Sequence, residues 1–365
     1  MSARVLVAMS GGVDSSVAAA LLREQGHEVV GVAMRLAPEQ PQSAIRARRG
    51  TCCSHDDFED ARRVAERLDF PFYVVDLRDE FGAKVIHNFI SEYLNGRTPN
   101  PCVMCNREIK FDRLWQRAAA LEADFVATGH YARIERDETG SFHLLRASDG
   151  SKDQSYFLFT LGQREMARTL FPLGSLSKSQ VRALARTLGL ANADKPESQE
   201  ICFVPDGNYA AFVAQNAPLE RIRPGAIRDS SGEQLARHSG VHQFTVGQRR
   251  GLGIASSAPF YVRTIDADTG DVTVGRRGDL VSAGLIAGMV RLTRPALLSC
   301  DEIPVEVKVR YRHPPLPSTL RILAEGRAQV RFRSGGPAVT PGQAVVFYRG
   351  DEVLGGGIIE TGLER

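Results

Sequence analysis

The chain has no long apolar run, so nothing in its 365 residues reads as a membrane span. Its first residues, Met1-Ser2-Ala3-Arg4, pass straight into a strand-like segment without the apolar stretch and small-residue cleavage site of a secretory leader. A cytoplasmic location is therefore expected. Cysteine is scarce: six thiols, at positions 52, 53, 102, 105, 202 and 300, make too thin a framework to staple a protein of this length. Catalysis, metal binding or simple burial remain for them. Excess charge is lacking too, and a net +3 is too small to establish a nucleic-acid partner by itself, because a binding face can be basic while the whole is nearly balanced. Neither an internal repeat nor a low-complexity tail is present. What is there, 43% hydrophobic and 24% charged residues, is ordinary for a globular protein and too long for one core, so two or three domains are expected.

Through the first 130 residues strand-like and helix-like segments alternate, which predicts an α/β domain with a parallel sheet. Strands are expected at 5–9, 27–34, 72–76 and 125–130, and a charged helix at about 56–68. The last of these strands ends in the small, polar tip Thr128-Gly129-His130, at the edge where open α/β sheets bind ligands. Between the second strand and its helix, 38–50 reads as a mobile basic loop with Arg46, Arg48 and Arg49. Ser177-Lys178-Ser179-Gln180 is a capping box opening a helix that should stop at Gly189.

Around Pro205 helical periodicity gives way to Gly, Pro and short β-branched runs, so we expect domains at 1–205, 206–284 and 285–365. The middle one contains a short strand, Val241-His242-Gln243-Phe244-Thr245-Val246, leading into the basic loop Gly247-Gln248-Arg249-Arg250-Gly251-Leu252-Gly253. In the last, 305–311, 328–332, 345–348 and 352–359 alternate or run apolar, with a hairpin turn at Arg349-Gly350-Asp351. That predicts a small β-barrel or sandwich.

The stretch Ala8-Met9-Ser10-Gly11-Gly12-Val13-Asp14-Ser15-Ser16 carries the chemistry. It joins a buried strand to a helix, where adjacent glycines bring N–H groups close to a ligand, serines add donors and the helix end adds partial positive charge. A phosphate suits such a junction. The Gly-Lys-Ser/Thr ending of the Walker loop is missing, and so is the Gly-x-Gly-x-x-Gly dinucleotide pattern.

This loop resembles the pyrophosphate (PP) loop of ATP-dependent adenylating enzymes. Further motifs follow: Arg97-Thr98-Pro99-Asn100-Pro101-Cys102-Val103-Met104-Cys105-Asn106, Ala127-Thr128-Gly129-His130-Tyr131, Lys152-Asp153-Gln154-Ser155, Ile201-Cys202-Phe203 and Gly247-Gln248-Arg249-Arg250-Gly251-Leu252-Gly253. Together they resemble the tRNA-specific 2-thiouridylases, the MnmA/TrmU family, over nearly the whole chain. The resemblance implies a PP-loop domain followed by a small central domain and a C-terminal β-barrel. It implies transfer of sulfur to carbon 2 of the wobble uridine of tRNA, with ATP, and Mg2+ beside it, converted to AMP and pyrophosphate. ATP would meet Ala8, Met9, Ser10, Gly11, Gly12, Val13, Asp14 and Ser15, with Met34 and Gly129 at the adenosine. Cys202 would carry a persulfide and Cys105 would attack or resolve it. Asn100, Pro101, Cys102, His130, Lys152, Asp153, Gln154, Arg310, Tyr311 and Gln343 match positions that meet the tRNA. A cysteine desulfurase or sulfur-relay protein would supply the sulfur.

One departure from the family pattern stands out: position 102, often aspartate, is cysteine. With Cys105 it forms Cys102-x-x-Cys105, and Cys52 and Cys53 lie on a loop able to approach the same sheet edge. A [4Fe–4S] cluster on Cys52, Cys53, Cys102 and Cys105 is therefore a second reading beside a metal-free persulfide relay, and zinc is a third. Plainer alternatives accompany several residues: a buried small apolar role for either cysteine taken alone, a solvated turn for Lys152 to Gln154, an exposed strand face for Arg310 and Tyr311. Cys300 is expected to be structural. As whole-protein alternatives, another PP-loop enzyme would adenylate a small molecule without need of paired cysteines, and an RNA-binding protein with a dead nucleotide fold would not need Asp14, Ser15, Cys105 and Cys202 together.

Overall fold

The computed structural model describes residues 2–36, 55–196, 201–204, 207–295, 297 and 301–364. The basic loop with Arg46, Arg48 and Arg49, and Cys52, Cys53 and Cys300, lie outside these. The chain divides into two compact units. The first holds residues 1–85, 102–207 and 351–353; the second holds 86–101, 208–350 and 354–365.

In the first unit, β1 (Arg4–Ala8), α1 (Val13–Glu24), β2 (Glu28–Arg35), α2 (His55–Arg67), β3 (Phe72–Asp76) and β4 (Phe125–Ala127) follow the predicted alternation closely. A hairpin, β5 (Ala132–Arg136) and β6 (Phe142–Arg146), and a short β7 (Thr169–Leu170) come next. The sheet order is β3-β2-β1-β4-β7, with every pairing parallel. The central β1 is covered on both faces, which is why it reads as an unbroken apolar run instead of an alternating one. Val5 and Val7 pack with Val17, Ala18 and Leu22 of α1, while Leu6 packs with Val30, Leu114 and Val126 on the other side. Since the chain leaves β1 toward β2 on one side and toward β4 on the other, the carboxyl ends of β1 and β4 flank the crevice where such sheets bind ligands.

Helix Lys178–Thr187 packs against α1, burying Val181 and Ala185 in the same core as Val17 and Ala18. The predicted capping box is formed. Gln180 N–H donates to Ser177 Oγ at 3.3 Å, and Ser177 N–H donates to Gln180 Oε1 at 2.8 Å. Gly189, with φ +62°, lies just beyond its end.

The second unit contains a four-stranded sheet, β8 (Gly225–Arg228), β9 (Gln234–His238), β10 (Tyr261–Ile265) and β11 (Val272–Gly275), in the order β10-β11-β8-β9. The strand expected over 241–246 is not formed. Val241–Gln243 is a 3₁₀ turn instead, from which Val241 and Phe244 drop into the core beside Ile227 and Val262. A spacing of three serves a turn as well as alternation serves a strand, and tertiary burial decided between them. Six further strands, β12 (Ser282–Leu292), β13 (Ile303–Lys308), β14 (Leu316–Ile322), β15 (Ala328–Gly336), β16 (Ala344–Arg349) and β17 (Glu352–Leu363), close into a barrel because β12 pairs with both β15 and β17. Arg310 and Tyr311, expected on a strand face, lie beyond the end of β13 in a turn. No described helix is long and apolar enough to cross a membrane.

Removing the Ser177 hydroxyl leaves the first-turn donors of its helix without their cap, so Ser177→Ala should cost about 1 kcal/mol of stability. Urea denaturation measures it; an unchanged midpoint would show the box to be idle.

Candidate functional site

The loop after β1 is tightly folded. Met9 N–H donates to Val32 O at 2.8 Å, which keeps the chain on the sheet until position 9. Gly11 then turns with φ +72°, and a Cβ there would overlap the Asp57 carbonyl of α2. Any side chain at 11 is excluded twice, by conformation and by space. Gly12 is extended and opens α1. Ser10 N–H donates to Ser15 Oγ at 3.2 Å, and the Ser15 hydroxyl also reaches Gly12 O at 3.1 Å. Ala8, Met9 and Val13 put their side chains partly or wholly in the core, so a ligand at this loop meets their backbone. First-turn N–H groups of a helix have no intrahelical acceptor, and they make this end of α1 a candidate anion site.

The tip of β4 closes on the same turn. A Cβ on Gly129 would lie 2.7 Å from Ser15 N and 2.8 Å from the Asp14 carbonyl carbon. Only glycine permits that approach. The next residues reach into the loop: Tyr131 OH donates to Asp14 Oδ1 at 2.8 Å. Lys178, the first residue of its capped helix, places Nζ 2.7 and 2.8 Å from the two Asp14 oxygens. The ion pair is mostly shielded, with the lysine side chain 11% exposed and the aspartate 30%. Two further side chains brace the loop. Asn192 Nδ2 donates to Gly11 O at 3.0 Å and to Ser16 Oγ at 2.9 Å. Lys195 Nζ donates to Gly11 O at 3.3 Å and bridges Asp57 and Asp60 at 2.6 Å each. Burial works against the Lys195 charge, but those two carboxylates more than offset it and raise its pKa.

Sequence reasoning missed Lys178, Asn192 and Lys195, each more than 130 residues from its partner in the loop or in α2. No local pattern announces such contacts. The one available hint for Lys178 was the capping box, which fixes a helix start but not what lies opposite.

His130 is half-buried, its Nδ1 2.6 Å from Thr128 Oγ1 and its ring between Phe111 and Phe171. Burial, with the charge of Lys110 adding to it, pushes this imidazole down from 6.5 to about 3. It is neutral near pH 7. Lys152 is half-buried. Asp153, expected to touch tRNA, is 6% exposed and spends its carboxylate on its own loop, accepting from Ala147 N, Ser155 N and Ser155 Oγ. Gln154 exchanges hydrogen bonds with the Tyr131 backbone, both at 2.9 Å. The segment 152–154 is thus tied through Tyr131 to Asp14. Met34 is half-buried near the end of β2.

Cys102 and Cys105 share the short helix Pro101–Cys105, with Cys102 exposed and Cys105 only 7% exposed. Cys202 is half-buried, next to Phe203, whose ring meets Phe81 edge-on at 5.6 Å. Among the described residues no group of three or more His, Cys, Asp or Glu could hold a metal ion.

In the second unit, Gln343 and Arg310 each tie together segments distant in the chain. Gln343 Nε2 donates to Thr98 O at 3.0 Å and to Pro99 O at 3.2 Å, seating the segment that ends in Asn100 and Pro101. Arg310 Nη2 donates to Thr340 Oγ1 at 2.6 Å and to Val246 O at 3.1 Å. Tyr311 lies under Lys308 Nζ, 5.6 Å from the ring centre.

A histidine held neutral takes up its proton only on unfolding. Its contribution to stability is complete above about pH 6.5 and is lost as pH falls toward 3. An NMR titration should show no His130 protonation between about pH 5 and pH 8; a midpoint near 6.5 would refute the burial argument. Gly129→Ala should abolish nucleotide binding measured by calorimetry, because its methyl group displaces the first turn of α1. Wild-type affinity in that variant would mean that the two segments part easily.

Residues 3–206 match the family described as tRNA methyl transferase HUP domain. Residues 211–276 match the tRNA methyl transferase PRC-barrel domain, and residues 285–359 the aminomethyltransferase beta-barrel domain. The tRNA-specific 2-thiouridylase MnmA of Geobacter metallireducens is 53% identical over 361 residues, 99% of this chain and 97% of that protein. Its namesake in Carboxydothermus hydrogenoformans is 48% identical over 365 residues, 99% and 98% of the two chains. Among solved structures, a 4-thiouridine synthetase in complex with RNA and ATP aligns over 58% of this chain and 50% of that one, at 16% identity and a TM-score of 0.38, too slight a likeness to argue from. Matched along nearly its entire length at such identity, the chain belongs to the tRNA-specific 2-thiouridylase family.

Proposed function

We propose that the protein is a tRNA-uridine 2-sulfurtransferase, which activates the C2 oxygen of the wobble uridine with ATP and replaces it with sulfur, giving 2-thiouridine, AMP and pyrophosphate. The observation that carries this reading is the closed anion site at α1, with Gly129 against its first turn and Lys178 on Asp14, in the same unit as Cys105 and Cys202. An enzyme adenylating a small molecule would need the first of these but not the thiols.

Chemically the two halves require each other. A uridine carbonyl oxygen is a poor leaving group until it attacks the α-phosphorus of ATP and expels pyrophosphate. The loop N–H groups and Lys178 counter the charge that builds on the departing phosphates. Mg2+ accompanying ATP would be held by Asp14, the loop's carboxylate, together with the phosphates, and would neutralise part of their charge. The terminal sulfur of a Cys202 persulfide then attacks C2. AMP departs with the original oxygen, and the Cys105 thiolate attacks the inner sulfur, leaving the thiocarbonyl on the base and a Cys105–Cys202 disulfide. A thiol reductant reopens that disulfide before the next turnover. A desulfurase or relay protein supplies the persulfide.

The [4Fe–4S] alternative depends on Cys52 and Cys53, which lie outside the described residues. His130, neutral, suits contact with a base edge rather than with phosphate. The target base must leave the anticodon stack to be reached, and Asn100, Pro101 and Cys102 are proposed to meet it. For Asp153, Gln154, Arg310 and Gln343 the proposal is narrower: they hold the loops that carry Lys152, Tyr131 and Asn100. In the three-part division 1–205, 206–284 and 285–365, the first part activates and the other two grip tRNA.

Incubating tRNA with ATP and a persulfide donor, and then measuring nucleosides by mass spectrometry, tests the roles of the thiols. Wild type should form 2-thiouridine, while Cys105→Ser and Cys202→Ser should form essentially none. Equal yields from all three would overturn the assignment. Lys178→Met should slow AMP formation about 100-fold, the usual cost of one charge-stabilising donor.

A further inference from the structure

The loop Gly247–Gly253 is built more firmly than a surface turn needs to be. Gly247 N–H donates to Val262 O at 2.8 Å, and Val262 N–H returns a bond to Gln248 O at 2.9 Å. Gln248 Oε1 accepts from Thr245 N, and its Nε2 donates to Arg250 O. Leu252, only 7% exposed, plugs the core of the four-stranded sheet. Gly251 and Gly253 turn with φ +76° and +66° and are both exposed, and a Cβ on Gly253 would meet nothing within 4 Å.

That backbone walls a cavity of about 370 Å³, closed on its other side by residues 254–256 and 258–260. Arg276 forms part of its frame. The guanidinium lies 3.8 Å from the centre of the Phe260 ring, and Nη1 donates to Ala258 O at 2.6 Å and to Pro259 O at 3.3 Å. Arg249 is the one charged side chain among the described residues lining the cavity, and no carboxylate lines it. Its size falls at the lower end of the small-ligand range, about 300–1,000 Å³. Metabolite sites, however, bury most of their ligand, whereas Gly251, Gly253, Ala255, Ser256 and Ala258 are all exposed along this rim. Such an open rim suits one unit of a polymer.

Resting on the tRNA reading above, we infer that this cavity takes a single nucleotide of the substrate RNA: its phosphate on Arg249 and the exposed glycine backbone, its base against Phe260, whose ring and flanking segment Arg276 holds in place. Arginine planes and aromatic rings are the surfaces on which unpaired bases stack, and the pinned loop keeps them in place before the RNA arrives. The site is built wholly from residues of the second unit, and its part is affinity for tRNA.

Fluorescence anisotropy of an unmodified tRNA transcript with a wobble uridine, repeated across a salt series, tests this with the full chain and its Arg249→Ala, Arg276→Ala and Phe260→Leu variants. Each variant should bind about tenfold more weakly. Arg249→Ala should also flatten the dependence of log Kd on log salt by about one, as loss of one phosphate contact does. Arg249 is exposed, so this variant keeps the test decisive should Arg276→Ala unfold the 258–260 segment. Affinities and salt slopes equal to wild type, with wild type binding well, would overturn the pocket and leave the tRNA assignment standing. A wild-type chain that binds no tRNA would overturn both.

Discussion

The approach of Gly129 to the first turn of α1 is the constraint on which the rest depends. The tip of β4 lies so close to Ser15 N and the Asp14 carbonyl carbon that residue 129 can carry no side chain. Because of that approach, Tyr131, two residues on, reaches Asp14, and Gln154, bonded to Tyr131, brings the 152–154 segment along. Gly11 obeys the same logic on the opposite side, against the backbone of α2. The helix end proposed to bind phosphate is thus held by two backbone contacts that any larger residue would break, and Lys178 reaches it from a helix packed on α1.

Much of this could be read in the sequence because it is local. Buried strands appear as apolar runs and caps as short patterns, so β1 to β4, the helix after Ser177 and the barrel strands were legible. The segment 241–246 was misread because its apolar spacing satisfies both a strand and a turn. Lys178, Asn192 and Lys195 were invisible for a different reason: their partners lie far away in the chain, and lysine or asparagine on a helical or turn segment is unremarkable until the fold brings it to Gly11 and Asp14. Asp153 shows a different limit. A motif marks a position as constrained, and the structure adds that the Asp153 carboxylate is buried and shapes its own loop.

The electrostatics follow from the same packing. Lys178 and Lys195 hold positive charge beside the loop after β1, and each is itself held by carboxylates, so the proposed triphosphate site would need little side-chain reorganisation. His130 stays neutral among Phe111 and Phe171 and adds no charge to the region where a pyrimidine would sit. The thiols differ in kind from these groups. Cys102 is exposed where Cys105, one helical turn on, is buried, which matches a thiol shielded until substrate is in place better than two equivalent nucleophiles.

The central claim is that the uridine C2 oxygen leaves on the nucleotide. A tRNA carrying ¹⁸O at C2 of the wobble uridine, turned over once with ATP and a persulfide donor, gives the most direct reading of it. AMP should be heavier by one ¹⁸O for each 2-thiouridine formed. Unlabelled AMP, with ¹⁸O recovered in water, would contradict it.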